Sequence, residues 1–218
     1  GSLVKDFQKK LVKKGWWTMH WPTEHGGQGV SITTQMAYRE AMSYAGAPAT
    51  FGGGLVGPVL MIQGADWMKQ QFLPQIANAD LEFSQGFSEP DAGSGLAGLK
   101  TRAVRDGDDY VINGQKIWTT GAQYCKWGML VARSDTNAAK HAGLTYFIVD
   151  MEDRGIEIRP IKQMNGQSGF NEVFFSDVRI PDSNRLGAEG DGWRVAITTL
   201  MNERSSIGGS MGGGGGIK

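Results

Sequence analysis

A chain of 218 residues can bury one large core or two small ones, and its 22 basic and 22 acidic residues cancel. That balance argues against a nucleic-acid binder, which carries a basic face, and no apolar run of about eighteen residues exists to cross a membrane. The lone Cys125 excludes an internal disulfide and fits a reducing compartment.

Leu3, Val4, Phe7 and Leu11 recur at helical spacing with Lys5, Lys9, Lys10 and Lys13 on the wetter side, which predicts a first helix. Ser31 is a good N-cap for a helix through Ile32, Met36, Ala41 and Ala45, and Gly46 stops it. Pro58 suits the first turn of a helix through Val59, Leu60 and Ile62, closed by Gly64. Asp66 is expected to cap another short helix that ends near Leu73-Pro74. Residues 1–82 therefore read as a helical domain, incomplete at its start.

From Phe83 the texture changes to short strands rich in Val, Ile, Tyr and Thr. Asp106-Gly107 and Asn113-Gly114 read as hairpin turns. Further strands are expected over 128–133, 144–151, 156–161 and 172–180, and Ile156-Glu157-Ile158-Arg159 alternates as on a half-buried sheet. No βαβ alternation is visible, so residues 83–185 predict an antiparallel, barrel-like middle domain. A helical pattern then runs from Gly192-Trp193 through Ala196, Ile197, Leu200 and Met201 to Glu203-Arg204, and the glycine-rich stretch after it predicts a flexible loop. The fold class is α+β and multidomain: a helical N-terminal domain, a β middle domain and, over 186–218, the truncated start of a C-terminal helical domain.

Three patterns invite a functional reading and fail it. Gly52, Gly54 and Gly57 have dinucleotide-loop spacing but stand between helices, without the strand that the phosphate mechanism needs. His20, Glu24 and His25 are interrupted by Pro22, which breaks the helix that a metal-binding His-Glu-His set requires. His141 stands alone in a polar stretch. No metal site is expected.

The segment Phe83-Ser84-Gln85-Gly86-Phe87-Ser88-Glu89-Pro90-Asp91-Ala92-Gly93-Ser94 resembles the first signature of the acyl-CoA dehydrogenases. Asn113-Gly114-Gln115-Lys116-Ile117-Trp118-Thr119-Thr120-Gly121 resembles their second. Trp21-Pro22 with Gly26-Gly27, the Phe170-Asn171-Glu172-Val173 strand and Gly190-x-Gly192-Trp193 extend the resemblance in collinear order. One departure stands out. Most members carry Asp after the Gly-Ser of the first signature, and here that residue is Gly95, which puts the bracing of that loop in question.

The resemblance implies FAD as cofactor, contacted by Gln85, Phe87, Ser88, Gly93, Ser94, Trp118, Thr119 and Thr120. The residue types suit that role. Ser88 and Thr120 are short hydroxyls able to reach the polar edge of a flavin, Trp118 offers a flat face, and a Gly93-Ser94 turn exposes N–H groups to phosphate. Read without the family, Trp118 reads as a core residue and the rest as ordinary turn residues. The implied reaction removes the α-proton and β-hydride of an acyl-CoA thioester to give a trans-2-enoyl-CoA. Some members place the base directly before an Arg on the first C-terminal helix. Glu203 occupies that place, with Arg204 and Ser94 beside the substrate. A structural Glu203 paired with an Arg at a helical interface is the competing reading.

The resemblance further implies an electron-transfer flavoprotein as acceptor and a homodimer, homotetramer or heteromer of similar subunits. It implies a location in the cytoplasm or the mitochondrial matrix. Two rival functions share the fold: a flavin oxidase or monooxygenase, and a non-catalytic subunit of a heteromeric dehydrogenase.

Overall fold

The computed structural model of the chain describes residues 2–48 and 55–207, with the side chains of 2 and 203–207 outside the description. Gly52 and Gly54 fall outside it. The chain divides into two compact units. One runs to Leu81 and takes in the chain from Thr198, and the other spans Glu82–Ile197.

The first unit contains α1 (Ser2–Lys13), α2 (Ile32–Tyr44), α3 (Val56–Gln63) and α4 (Asp66–Ala77). The apolar stripe of α1 is used from Phe7 onward: Leu11 is buried with Trp17 and Ala79, while Leu3 stays 77% exposed. The Trp17 indole donates to the carbonyl of Ile76 at 2.8 Å. Gly57 is packed against Trp21 so closely that a Cβ there would sit 2.1 Å from the indole ring, which accounts for that glycine without any phosphate.

Ser31 caps α2 as expected, its hydroxyl accepting from the Thr34 N–H at 3.2 Å, and Gly46 follows with φ +65°. Ser31→Ala is expected to cost about 1 kcal/mol of stability, read as a lowered midpoint in urea unfolding. The expected end of α4 at Leu73-Pro74 is wrong. The helix runs through Pro74 to Ala77, and Asp66 is its first residue rather than its cap, which is Ala65. Proline removes one backbone bond, but Met68, Phe72, Leu73 and Ile76 are all buried from this helix, and their burial outweighs that loss.

The second unit is built on eight strands: β1 (Phe83–Gly86), β2 (Arg102–Asp106), β3 (Asp109–Thr120), β4 (Trp127–Arg133), β5 (Leu144–Asp150), β6 (Ile156–Ile161), β7 (Phe170–Pro181) and β8 (Arg185–Leu186). Their order is β6-β7-β3-β2-β4-β5-β8, with β1 paired to β4 off this path. The barrel-like expectation is corrected in two ways. The sheet is open, and two of its pairs, β1–β4 and β2–β4, run parallel. The remaining pairs are antiparallel, and Tyr110, Ile112, Leu130, Phe147 and Val173 lie in its core.

Asp106-Gly107 opens a hairpin: Asp106 pairs with Asp109, and Gly107 adopts φ +63°. Asn113-Gly114 is no turn. It lies inside β3 at a register shift between Ile112 and Gly114, where the Asn113 and Asp177 groups exchange hydrogen bonds of 2.9 and 3.0 Å. Gly114 is required there because its φ is +153° and a Cβ would meet the Thr101 Cα at 2.7 Å.

Helix α5 (Gly192–Ile207) begins where the sequence pattern placed it, and its first turn is seated on β5. The Gly190 N–H donates to the Thr145 hydroxyl at 3.0 Å, and that hydroxyl also lies 2.6 Å from the hydroxyl of Ser134. A Cβ on Gly192 would fall 2.6–2.7 Å from the main chain of Thr145.

Candidate functional site

The two signature segments meet at one place in the second unit. Strand β1 runs parallel to β4 and delivers the chain into a tight turn, in which the Glu89 N–H donates to the Ala92 carbonyl at 2.9 Å and the Ala92 N–H to the Glu89 carbonyl at 3.0 Å. The Phe87 ring is committed to the core, edge-on to Tyr146 at 5.6 Å, whereas Ser88 and Gln85 remain half-buried. The end of β3 lies alongside: the Ile117 N–H donates to the Ser88 carbonyl at 2.9 Å.

Between Lys116 and Thr119 β3 bulges, three steps on β3 matching two on β7, from Val173 to Asn171. The bulge turns Trp118 outward. Its φ is +61°, a left-handed conformation that costs a bulky L-residue of the order of 1–3 kcal/mol, and it leaves the indole 56% exposed. Phe170 supports the ring edge-on at 6.0 Å and an interplanar angle of 87°. Thr120 is exposed beside it, and Thr119 points the other way into the protein. Beneath, Asn171 donates to the Thr119 carbonyl at 2.9 Å and to the Gln123 side-chain oxygen at 2.5 Å. The Thr119 hydroxyl and the Asn171 amide oxygen are buried without a hydrogen-bond partner among the described residues. Orphaned polar atoms under a strained, outward-facing aromatic mark a place shaped for something other than its own stability.

Gly93, Ser94 and Gly95 form an exposed crest on the same loop, flanked by the buried Ala92, Leu96 and Ala97. A Cβ at Gly93 or Gly95 would meet nothing within 4 Å. The loop does not depend on a carboxylate at Gly95. Its braces are the Gly98 N–H to the Gly95 carbonyl at 2.8 Å, the Arg133 guanidinium on the carbonyls of Ala97 (2.7 Å) and Leu99 (3.1 Å), and Glu89.

Glu89 and Lys116 are what sequence reasoning missed. Lys116 is fully buried and its ammonium lies 2.8 Å from a Glu89 carboxylate oxygen and 3.1 Å from the Phe87 carbonyl. Glu89 also accepts from the Lys100 N–H at 2.6 Å and the Thr101 N–H at 2.9 Å. Burial pushes the Lys116 ammonium down to about 8 against the pull of Glu89. Burial pushes the Glu89 carboxyl up, but the Lys116 charge and the hydrogen bonds from Lys116, Thr101 and Lys100 outweigh it and hold it below its usual range. The 2.8 Å contact between the two groups makes this a buried ion pair. The signal available was that Lys116 is the one charge of the second signature, while the first carries only acidic charges, Glu89 and Asp91.

Glu203 and Arg204 lie on α5, with side chains outside the described residues. Among the described residues no helix is long and apolar enough to cross a membrane, and no three potential metal ligands cluster.

Residues 84–178 match the family model described as acyl-CoA dehydrogenase, middle domain, and residues 1–80 match acyl-CoA dehydrogenase, N-terminal domain. The acyl-CoA dehydrogenase IpdE1 of Mycobacterium tuberculosis (strain ATCC 25618 / H37Rv) is 43% identical over 201 residues, covering 91% of this chain and 52% of that protein. Among solved structures, the Tcur3481-Tcur3483 steroid ACAD superposes with a TM-score of 0.88 at 38% identity, over 96% of this chain and 54% of that one. The ChsE4-ChsE5 complex from Mycobacterium tuberculosis gives 0.83 at 40% identity, over 91% and 52%. The chain thus spans about half the length of the relatives it matches. With both domain models matched in order and the two signature segments joined at one site, the chain belongs to the acyl-CoA dehydrogenase family.

Proposed function

We propose that the full-length protein carrying this chain is an FAD-dependent acyl-CoA dehydrogenase, which converts an acyl-CoA thioester to the trans-2-enoyl-CoA. The observation that carries the reading is Trp118, an exposed indole held in a strained left-handed bulge between two hydroxyl-bearing segments. The residues present fit a flavin: a flat apolar face at Trp118, short hydroxyls at Ser88 and Thr120, and an open Gly93-Ser94-Gly95 crest with room for phosphate. FAD, when bound, supplies the hydride acceptor.

The chain's own residues then orient and deprotonate. Ser88 and Thr120 fix the polar edge of the ring, Gln85 and the main chain about Phe87 and Thr119 line it, and Gly93 and Ser94 receive phosphate oxygens. Glu203 takes the α-proton, with Ser94 and Arg204 beside the substrate. The structure named a steroid ACAD supports a steroid-derived acyl-CoA as substrate class. The paired names Tcur3481-Tcur3483 and ChsE4-ChsE5 support a heteromer of similar subunits over a homo-oligomer. An electron-transfer flavoprotein is the proposed acceptor.

The test is purification of the full-length protein, alone and with candidate partner subunits, followed by anaerobic mixing with straight-chain and steroid-side-chain CoA thioesters. Bound FAD that bleaches with a thioester and reoxidises with the electron-transfer flavoprotein is expected. Protein that takes up no FAD in any of these forms overturns the reading, and rapid reoxidation by oxygen alone moves it to an oxidase.

A further inference from the structure

The buried pair Glu89–Lys116 sits between the two segments that the flavin reading uses, and its bonds beyond the pair go to main chain, of the first segment at Phe87 and of a third at Lys100 and Thr101. Lys116 reaches back to the Phe87 carbonyl at 3.1 Å, and Glu89 reaches forward to the N–H groups of Lys100 and Thr101. The Ile117 N–H to Ser88 carbonyl bond, 2.9 Å long, lies directly beside the pair. One flank of that bond is the turn bearing Ser88, and the other is the bulge bearing Trp118 and Thr120. Among the described residues the strands on either side pair elsewhere: β1 pairs with β4, and β3 pairs with β2 and β7.

A buried ion pair is a weak source of stability, because taking both charges out of water costs about as much as their attraction returns, and a neutral replacement of similar volume is often no less stable. What such a pair does supply is geometry. A fully buried ammonium must keep its few partners at hydrogen-bond distance, and a carboxylate holding two N–H groups on a third segment cannot slide. Thr101 adds a 3.4 Å contact from its hydroxyl to the Gln115 carbonyl on the same strand as Lys116.

We propose that Glu89 and Lys116 are positioning residues of the half-site, locking the Ser88 turn to the Trp118 bulge and so setting the spacing at which both meet the flavin. The proposal rests on the flavin reading, and its test separates the two. Lys116→Met, Glu89→Gln and the double variant are made in the full-length protein. Three quantities are measured: unfolding midpoint, affinity for FAD with the visible spectrum of the bound flavin, and hydrogen exchange of the Ile117 amide in the flavin-free protein.

The single variant Lys116→Met strands a buried carboxylate and is expected to lose stability. The double variant strands no charge and is expected to recover it. Recovery of the midpoint in the double variant, with FAD still bound about tenfold more weakly, the equivalent of one or two lost hydrogen bonds, a shifted flavin spectrum and lost Ile117 protection, is the expected result. A double variant with native FAD affinity and native Ile117 protection overturns the proposal. Failure of the double variant to fold also overturns it, since the pair would then be a stability element. If the parent protein takes up no FAD, the flavin reading fails by itself, and Ile117 exchange alone decides whether the pair locks turn to bulge.

Discussion

On the proposed function, Glu203→Gln in the full-length protein is expected to slow reduction of FAD by an acyl-CoA thioester by about 10²–10⁴-fold, the range that removal of a general base produces. Glutamine keeps the shape and much of the hydrogen bonding of the carboxylate but cannot accept the α-proton. FAD content and binding of a CoA ester should be nearly unchanged. The competing structural role gives the opposite pattern, with lost stability or flavin retention because a cationic partner is left unpaired, and normal turnover by whatever holoenzyme survives. Stopped-flow bleaching normalised to bound FAD separates the two. Near-normal bleaching would move the base elsewhere in the full-length protein.

The second large effect concerns the seat of the helix that carries Glu203. Gly192 opens α5 directly over the main chain of Thr145, with no room for a Cβ, and all three of the nearest atoms are backbone. The backbone of Thr145, paired with Ala132 on β4, cannot step aside as the tip of a side chain can. Gly192→Val is therefore expected to destabilise the second unit by about 1–3 kcal/mol or more and to loosen the Gly190 N–H to Thr145 hydroxyl bond. Urea unfolding measures the first, and hydrogen exchange at Gly190 the second. An unchanged midpoint would mean that the first turn of α5 is not seated on β5 as described.

Much of this arrangement was legible in the residues. The Ser31 cap, the hairpin at Gly107, four of the strands and the start of α5 followed from local chemistry that acts within a few residues. What failed depends on partners far away in sequence. Asn113-Gly114 carries the same local signal for a turn and for a bulge, and only the approach of Thr101 and Asp177 decides between them. The parallel pairing of β1 with β4 has no local signature at all. Pro74 was expected to end α4, and the burial of Ile76 beyond it carried the helix on. At the site, Trp118 was legible as either core or contact, and the positive φ that turns it outward comes from a one-residue mismatch with β7. Glu89 and Lys116 stood in plain view inside both signatures. Their pairing required knowing that the turn and the bulge lie side by side.

The bulge at Trp118 also fixes an order of events in time. Its partner residues, Asn171 to Val173, are synthesised some fifty positions after it, whereas β1 needs only β4 to pair. At ~5–20 residues per second a growing chain waits several seconds between making Trp118 and making the strand that forces it outward. Closing so long a loop carries an entropic cost that the hairpin of β2 and β3 does not pay. On the ribosome the bonds between the two signature segments involve no residue of β7, whereas the register mismatch that turns Trp118 outward waits for it.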